Sequence, residues 1–321
     1  MQCLVHYHSI QAPPTLPNGI PKVLMQTWKT EEVPKIWKRG QASILRAFPD
    51  WQYVLMTDAA IDEFVRQYFP EHVEAFYKMP YPIQRIDIFR YMFLYIYGGL
   101  YMDLDFEVTQ SFAEYVSVLS APLLLLHSGN LTWVLTNSLI LARPRQSVFL
   151  DIIKHALYTK LPWYYLGKHI QVMFSSGPMA FHTIITNSKS PYAVLPRRFF
   201  MPVDATRKDS GDWQPEEHVF TIPLMGGTWN SIDSYVLNFL MQYRKEFACA
   251  MGILILWFAR GHLHYRFQFE KLLRKFKRLR KYEGYEGTRS GQLPVYLSSS
   301  GSRIKENSGN GHDRSPGGED V

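Results

Sequence analysis

Apolar positions along the chain fall into short unbroken blocks separated by stretches with helical spacing. The first block, KVLMQTW at 22–28, follows the turn punctuation PNGIP and reads as a buried strand. Residues 33–48 place apolar side chains three and four apart, the spacing of an amphipathic helix. WQYVLMTD at 51–58 repeats the strand pattern and 59–69 the helical one, with Asp58 as the candidate cap. That alternation predicts an α/β domain with a mainly parallel sheet. Residues 83–99 read as a long apolar helix stopped by Gly98-Gly99, and LYMDLDFEV at 100–108 as an alternating strand. Further strands are expected at 137–144 and 192–203. Further helices are expected at 147–157 and, behind a Gly-Pro turn, within 175–186.

The pattern changes after residue 236. FACAMGILILWFA at 247–259 is uncharged and mostly apolar, shorter than the roughly 20 residues of a full membrane span. It is either a buried core helix or a membrane-inserted or interfacial one, and its aromatic and basic flanks favour the second. Residues 282–321 are rich in Gly and Ser and are expected to be disordered. The first 19 residues hold no apolar h-region, so no signal peptide is expected there.

Charge sharpens this division. The chain carries a formal +7, yet residues 260–281 alone hold nine Lys or Arg and one Glu, leaving the rest at −1. A near-neutral body argues against nucleic-acid binding, and the basic tail points to acidic headgroups or another polyanion. Aromatic residues make up 15% of the 321, enough for a sizeable core. The two cysteines, Cys3 and Cys249, provide neither a metal spacing nor a disulfide framework.

The chemistry concentrates around YGGLYMDLDFEV, 97–108. On a strand, Asp103 and Asp105 share one face while Leu104 takes the other. Two carboxylates so placed are either the polar side of a solvated strand or a cation site, because they repel without a cation or proton between them. Hard oxygen ligands suit Mg²⁺ or Mn²⁺ and a diphosphate-bearing substrate. Upstream, in YPIQRIDIFRY, Asp87 shares a helical face with Arg90 and Tyr91. The charged pair either braces the helix or reaches a polyhydroxyl ligand.

YPIQRIDIFRYMFLYIYGGLYMDLDFEV resembles the DxD sugar-binding region of glycosyltransferase family 32, closest to the fungal mannosyltransferases that act on inositol phosphorylceramide. IPKVLMQTWK, FPDWQYVLMTD, NSLILARPRQSVFLDII and SSGPMAF resemble further motifs of that family in the same order, across about residues 19–235. The resemblance implies a GT-A type nucleotide-diphospho-sugar transferase fold over 19–240. An N-terminal extension would precede it and a membrane-associated segment, 241–281, would follow, ahead of the disordered tail. It implies a metal-dependent, retaining hexosyltransferase using Mn²⁺ or Mg²⁺, GDP-mannose as donor and a membrane sphingolipid as acceptor. The setting would be the Golgi or another endomembrane, with a lumenal catalytic domain. Asp103 and Asp105 would hold the metal, with Thr228 as a further oxygen, while Asp87, Arg90, Tyr101 and Asp103 would line the donor site. Trp28 either stacks on the nucleobase or is a core aromatic. Asn137, Ser176, Gly177 and Trp229 would lie toward the acceptor, although Asn137 also reads as a strand-end turn residue. The sequon Asn130-Leu131-Thr132 agrees with a lumenal face.

One departure stands out. The family usually closes its site with a His-His pair shortly before Ser-Trp, and here Pro223-Leu224 precedes Thr228-Trp229. Leu224 cannot ligate a metal and His218 lies too early, which leaves water, Asn230 or Asp233 to complete a shell. A nucleotide-sugar-binding protein without turnover, a Golgi glycosyltransferase acting on glycan or protein with a GDP- or UDP-sugar, and a phosphatase with Asp103 as nucleophile are the competing readings.

Overall fold

A computed structural model describes residues 6–10, 12–129, 131–162, 167–201, 218–224 and 232–286. Its strands are β1 (Val23–Thr27), β2 (Gln52–Met56), β3 (Gly99–Met102), β4 (Phe106–Val108), β5 (Leu123–His127), β6 (Leu135–Ala142), β7 (Ala193–Leu195) and β8 (Thr221–Pro223). The helices of the body are α1 (Lys35–Ala47), α2 (Asp58–Tyr68), α3 (Val73–Tyr77), α4 (Pro82–Tyr97), α5 (Ala113–Ser117), α6 (Ser147–Tyr158), α7 (Lys168–Ser175), α8 (Pro178–Asn187), α9 (Arg197–Phe200) and α10 (Ile232–Gln242).

Six strands form one sheet in the order β2-β1-β3-β6-β5-β7, and β4 pairs with β8 in a second. In the large sheet only β6 runs against its neighbours. This is the mixed, mainly parallel α/β sheet that the alternating pattern predicts. Strands buried on both faces need unbroken apolar runs, which is why Val23–Gln26 and Leu123–Leu126 are all buried. One face packs against α2, α4, α6 and α8 through Phe64, Phe89, Phe93, Phe149 and Phe181. The other packs against α1, α5 and α9 through Trp37, Phe48, Phe112 and Phe200. The segment before residue 19 joins these cores through Tyr7, Ile10 and Leu16.

Sequence and structure differ at several elements. LYMDLDFEV is not one strand. β3 ends at Met102, Leu104-Asp105 form a turn, and β4 enters the other sheet. The break lies where the Asp103 N–H makes its last bond to β6, at Ser138 O, 2.9 Å. Leu104 is buried in the cluster on the α1 side while Asp103 reaches Arg90 of α4, so these two are still opposed. β5 and β8 were not expected. The LLLL run of β5 carries no alternation because both of its faces are covered. The strand expected at 192–203 stops at Leu195, where Pro196 turns the chain into α9. Thr57, not Asp58, caps α2, accepting the Ala60 N–H at 3.2 Å.

The chain divides into two compact units, one up to Tyr243 and one from Arg244. The second contains α11 (Arg244–Glu286), a single helix with large apolar side chains exposed among its described residues, Leu256 to 71% and Trp257 to 67%. Among the described residues no helix is long and apolar enough to cross a membrane.

Candidate functional site

The carboxyl ends of the parallel strands meet at one edge of the sheet, where α/β proteins bind ligands. Asp103 follows β3 at that edge, Asn137 stands near the start of β6, and α4 passes behind both. Gly98 and Gly99, at φ 65° and 94°, turn the chain from α4 directly into β3. A Cβ on Gly99 would meet Val23 O at 2.3 Å, so this tight return requires glycine.

Arg90 is the hub. It is 3% exposed and Asp87 is 4% exposed. Its Nη2 lies 3.0 Å from Asp87 Oδ1, and its Nη1 lies 3.3 Å from Asp103 Oδ1 and donates to Asn137 O at 2.7 Å. The guanidinium also stacks over the Tyr101 ring, 4.4 Å from its centroid. The Tyr101 hydroxyl donates to the same Asp103 Oδ1. Asn137 Nδ2 donates to Asp87 Oδ1 at 3.0 Å and to Tyr91 Oη at 2.9 Å. Ser176 Oγ donates to Asp87 Oδ2 at 2.9 Å, and Tyr91 Oη donates to Ser176 O at 2.9 Å. Gln84 Nε2 donates to Ser175 Oγ at 2.7 Å, tying α4 to α7.

Burial pushes the Asp87 carboxyl above its ordinary value, against the pull of Arg90, Ser176 and Asn137. Burial acts to lower Arg90, but Tyr101, Asp103 and Asp87 outweigh it and raise the guanidinium overall. Burial likewise lifts the hydroxyls of Tyr91 and Tyr101 well above the usual range, so both remain donors. A charge buried this deeply is tolerated only with a partner and hydrogen bonds around it, and Arg90 has them. Its Nε, also buried, finds no acceptor among the described residues.

The network therefore brings together Asp87, Arg90, Tyr101, Asp103, Asn137 and Ser176, all expected from the sequence. Gly177 is the N-cap of α8, beside Ser176. Asp87 spends both oxygens on protein donors, while Asp103, with its side chain 32% exposed, carries the network outward. Asp105 is half-buried in the turn, and Leu224 N donates to its carbonyl at 2.6 Å. The closing segment thus lies against the motif, with Pro223 paired to Phe106. Asp233 is occupied at the start of α7, where its Oδ2 accepts the His169 N–H at 2.6 Å. Trp28, just past β1, is half-buried against the apolar cluster on the α1 side. Thr228, Trp229, Asn230 and Asn130 lie outside the described residues.

Some supports were not expected. Gln26 Nε2 donates to Asp103 O at 3.4 Å and is held in turn by Tyr53 Oη at 3.1 Å, which accepts from Gln41 at 2.9 Å. The signal for this relay was a polar residue inside the apolar block KVLMQTW. Gly40 on α1 lets the motif approach; a Cβ there would stand 2.5 Å from Phe106 O and 2.6 Å from Leu104 O.

Among the described residues no three His, Cys, Asp or Glu side chains gather as a metal cage. Asp103 and Asp105 carry carboxylates, hard oxygen donors of the kind that would suit Mg²⁺ or Mn²⁺ with water and substrate phosphates completing the shell. That donor set fits such an ion.

Residues 34–121 match the family described as a glycosyltransferase sugar-binding region containing a DXD motif. The chain is 34% identical over 169 residues to mannosyl phosphorylinositol ceramide synthase CSH1 of Saccharomyces cerevisiae, covering 53% of this chain and 42% of that one. It is 27% identical over 234 residues to inositol phosphoceramide mannosyltransferase 3 of Schizosaccharomyces pombe, covering 70% and 60%. With inositol phosphoceramide mannosyltransferase 1 of the same organism the values are 29% over 245 residues, 74% and 72%. The chain thus spans less than two thirds of the length of the first two of these relatives. A solved structure titled PaToxG Glycosyltransferase aligns with a TM-score of 0.40 at 17% identity, over 54% of this chain and 70% of that one, too loosely to bear on the site.

Proposed function

We propose, from the premise that residues 34–121 are a DXD-containing glycosyltransferase sugar-binding region, that the protein is a retaining mannosyltransferase. It moves mannose from GDP-mannose to an inositol phosphorylceramide-type sphingolipid. The observation that carries this reading is the contiguous chain of contacts from Asp103 through Arg90 to Asp87, Asn137 and Ser176 at the carboxyl edge of the sheet. The names of the relatives support mannose as the transferred sugar and the inositol-phosphoceramide class as acceptor.

In this reading Asp103 and Asp105 would hold a divalent ion, which would supply positive charge for the leaving nucleoside diphosphate. Tyr101 and Arg90 fix Asp103 by its Oδ1, which leaves Oδ2 for a ligand. Arg90, buried behind Asp103 and paired with Asp87, holds in place the exposed carboxylate against which the donor sugar is oriented. The bond from the anomeric carbon to phosphate breaks with its electrons going to the diphosphate. A new bond forms to the acceptor hydroxyl, whose proton leaves to the diphosphate or to solvent. The basic and apolar segment 247–281 holds the enzyme at an endomembrane such as the Golgi, where its lipid acceptor resides.

The test is a panel of GDP- and UDP-sugars with a membrane lipid extract, run with chelator and after restoring Mn²⁺ or Mg²⁺. The expected result is mannose transfer from GDP-mannose, lost on chelation and regained with the ion. Transfer that is indifferent to chelation contradicts the metal role, and preference for a UDP-sugar contradicts the donor.

A second reading is favoured by Leu224, which stands against Asp105 where the family's closing residues would ligate. It makes the chain a nucleotide-sugar-binding protein without turnover. Calorimetry showing tight GDP-mannose binding, with neither transfer nor donor hydrolysis, selects that reading.

A further inference from the structure

Beside the network, the same edge and face of the sheet carry a second group of polar and aromatic side chains that the donor site does not use. Leu123, Leu125 and Leu135 point to the side of α4, α6 and α8, and Leu124 and Leu126 to the other. Alternation continues to His127, which therefore faces α8, and its electrostatic influence on His182 of α8 agrees. Tyr101 points the same way, and so does Asp103 two residues later, which contacts Arg90 of α4. Asn137 reaches α4 as well. Across the adjacent strands β3, β6 and β5 the order on this face is thus Asp103, Asn137, His127, with neighbouring strands about 4.8 Å apart. His127, paired with Leu135 beyond a register shift in β5, thus stands two strand spacings, about 10 Å across the sheet, from Asp103, on the same face and at the same end of the strands.

The two imidazoles are set up as donors. His182 Nδ1 accepts the Leu135 N–H at 3.3 Å, so its proton is on Nε2. Burial, and then His127, hold its pKa below the ordinary value and keep it neutral. His127 Nδ1 is buried and unpartnered among the described residues. An unpaired acceptor there costs less than an unpaired N–H, which again directs the proton to Nε2. Trp133, in the connection between β5 and β6, meets His182 edge-on with centroids 5.8 Å apart and is 58% exposed. An exposed aromatic ring beside a few oriented donors is a usual lining of a site for a hydroxylated ring.

We propose that Trp133, His182 and His127 form the acceptor-side subsite, in which a hydroxylated ring, cyclitol or pyranose, lies on the indole and accepts from imidazole Nε2–H. The assignment rests on the glycosyl-transfer reading. The two ring types share this chemistry and are separated by the probes below.

Binding is read apart from turnover by saturation-transfer NMR on the full chain, with myo-inositol 1-phosphate in one arm and methyl α-mannoside in the other. Transfer of magnetisation to one probe, lost in Trp133→Ala and retained in Trp133→Tyr, supports the subsite and identifies its ring. Binding of neither probe, or binding by Trp133→Ala equal to wild type, overturns it. In turnover assays Trp133→Ala and His182→Ala are expected to raise acceptor KM by about tenfold, well beyond any change in donor hydrolysis, with Trp133→Tyr largely restored. Acceptor KM that stays put, or donor hydrolysis that falls in step with it, also overturns the subsite. A wild type that binds a probe but neither transfers nor hydrolyses donor contradicts the enzyme reading and leaves the subsite standing.

Discussion

Helices α4 and α11 are both long and rich in apolar residues, yet they are built for different surroundings. α4 buries nine of its 16 residues, among them the charged pair Asp87 and Arg90. α11 leaves Ile253, Leu256, Trp257, Leu263 and Phe267 exposed along its 43 residues. The difference teaches that apolar content calls for cover without saying what provides it. α4 is covered by the sheet and by α6, so its polar residues can be used only toward one another and toward the edge where Asp103 emerges. α11 places a basic run after an apolar one, the arrangement of a helix suited to a charged interface.

Substitutions in the two helices should separate accordingly. Arg90→Ala leaves Asp87 with a buried and uncompensated charge and is expected to destabilise the body by about 3–5 kcal/mol in urea denaturation. A loss comparable to that of a surface residue would mean that the pair is not buried in solution. Asn137→Leu withdraws a donor from Asp87 and from Tyr91, with an expected cost of about 1–3 kcal/mol by the same measurement. Gly40→Ala forces a methyl group against two carbonyl oxygens of the motif segment and should cost about 1–3 kcal/mol. It should also slow transfer, because the yielding segment includes Asp105; unchanged turnover would show that the segment can shift freely. Leu256→Glu in α11 is expected to move the unfolding midpoint of the body by no more than about 0.5 kcal/mol in equivalent stability. A larger shift would show that Leu256 is not a surface residue in solution.

Much of the fold was legible because buried parallel strands and amphipathic helices leave different apolar spacings. β1, β2, α1, α4 and α6 follow that rule. β5 escaped it because Leu123–Leu126 carry no period, and β8 because three residues are too few to show one. The site was legible where spacing is local: Asp87 and Arg90 one helical turn apart, and Asp103 beyond the glycine pair. The helical spacing also placed Tyr91 beside Asp87. What it could not show was that Asp87 would be fully used by Ser176 and Asn137, since those partners lie 89 and 50 residues away. The strand alternation assigned to Asp103 and Asp105 failed, because β3 ends before them and the chain turns toward the second sheet; only the burial of Leu104 between them matches it. The relay from Gln41 to Asp103 and the placement of His127 on the side of His182 arise only when distant strands and helices meet.

The most direct measurement compares release of GDP from GDP-mannose by wild type and by Asp105→Ala, each in the presence of Mn²⁺ and lipid acceptor, after matching their thermal unfolding. The expected result is release by wild type and a loss of about a hundredfold or more in the variant, with the unfolding midpoint unchanged. Equal release by the two proteins would contradict the placement of the metal and the donor diphosphate at Asp103 and Asp105.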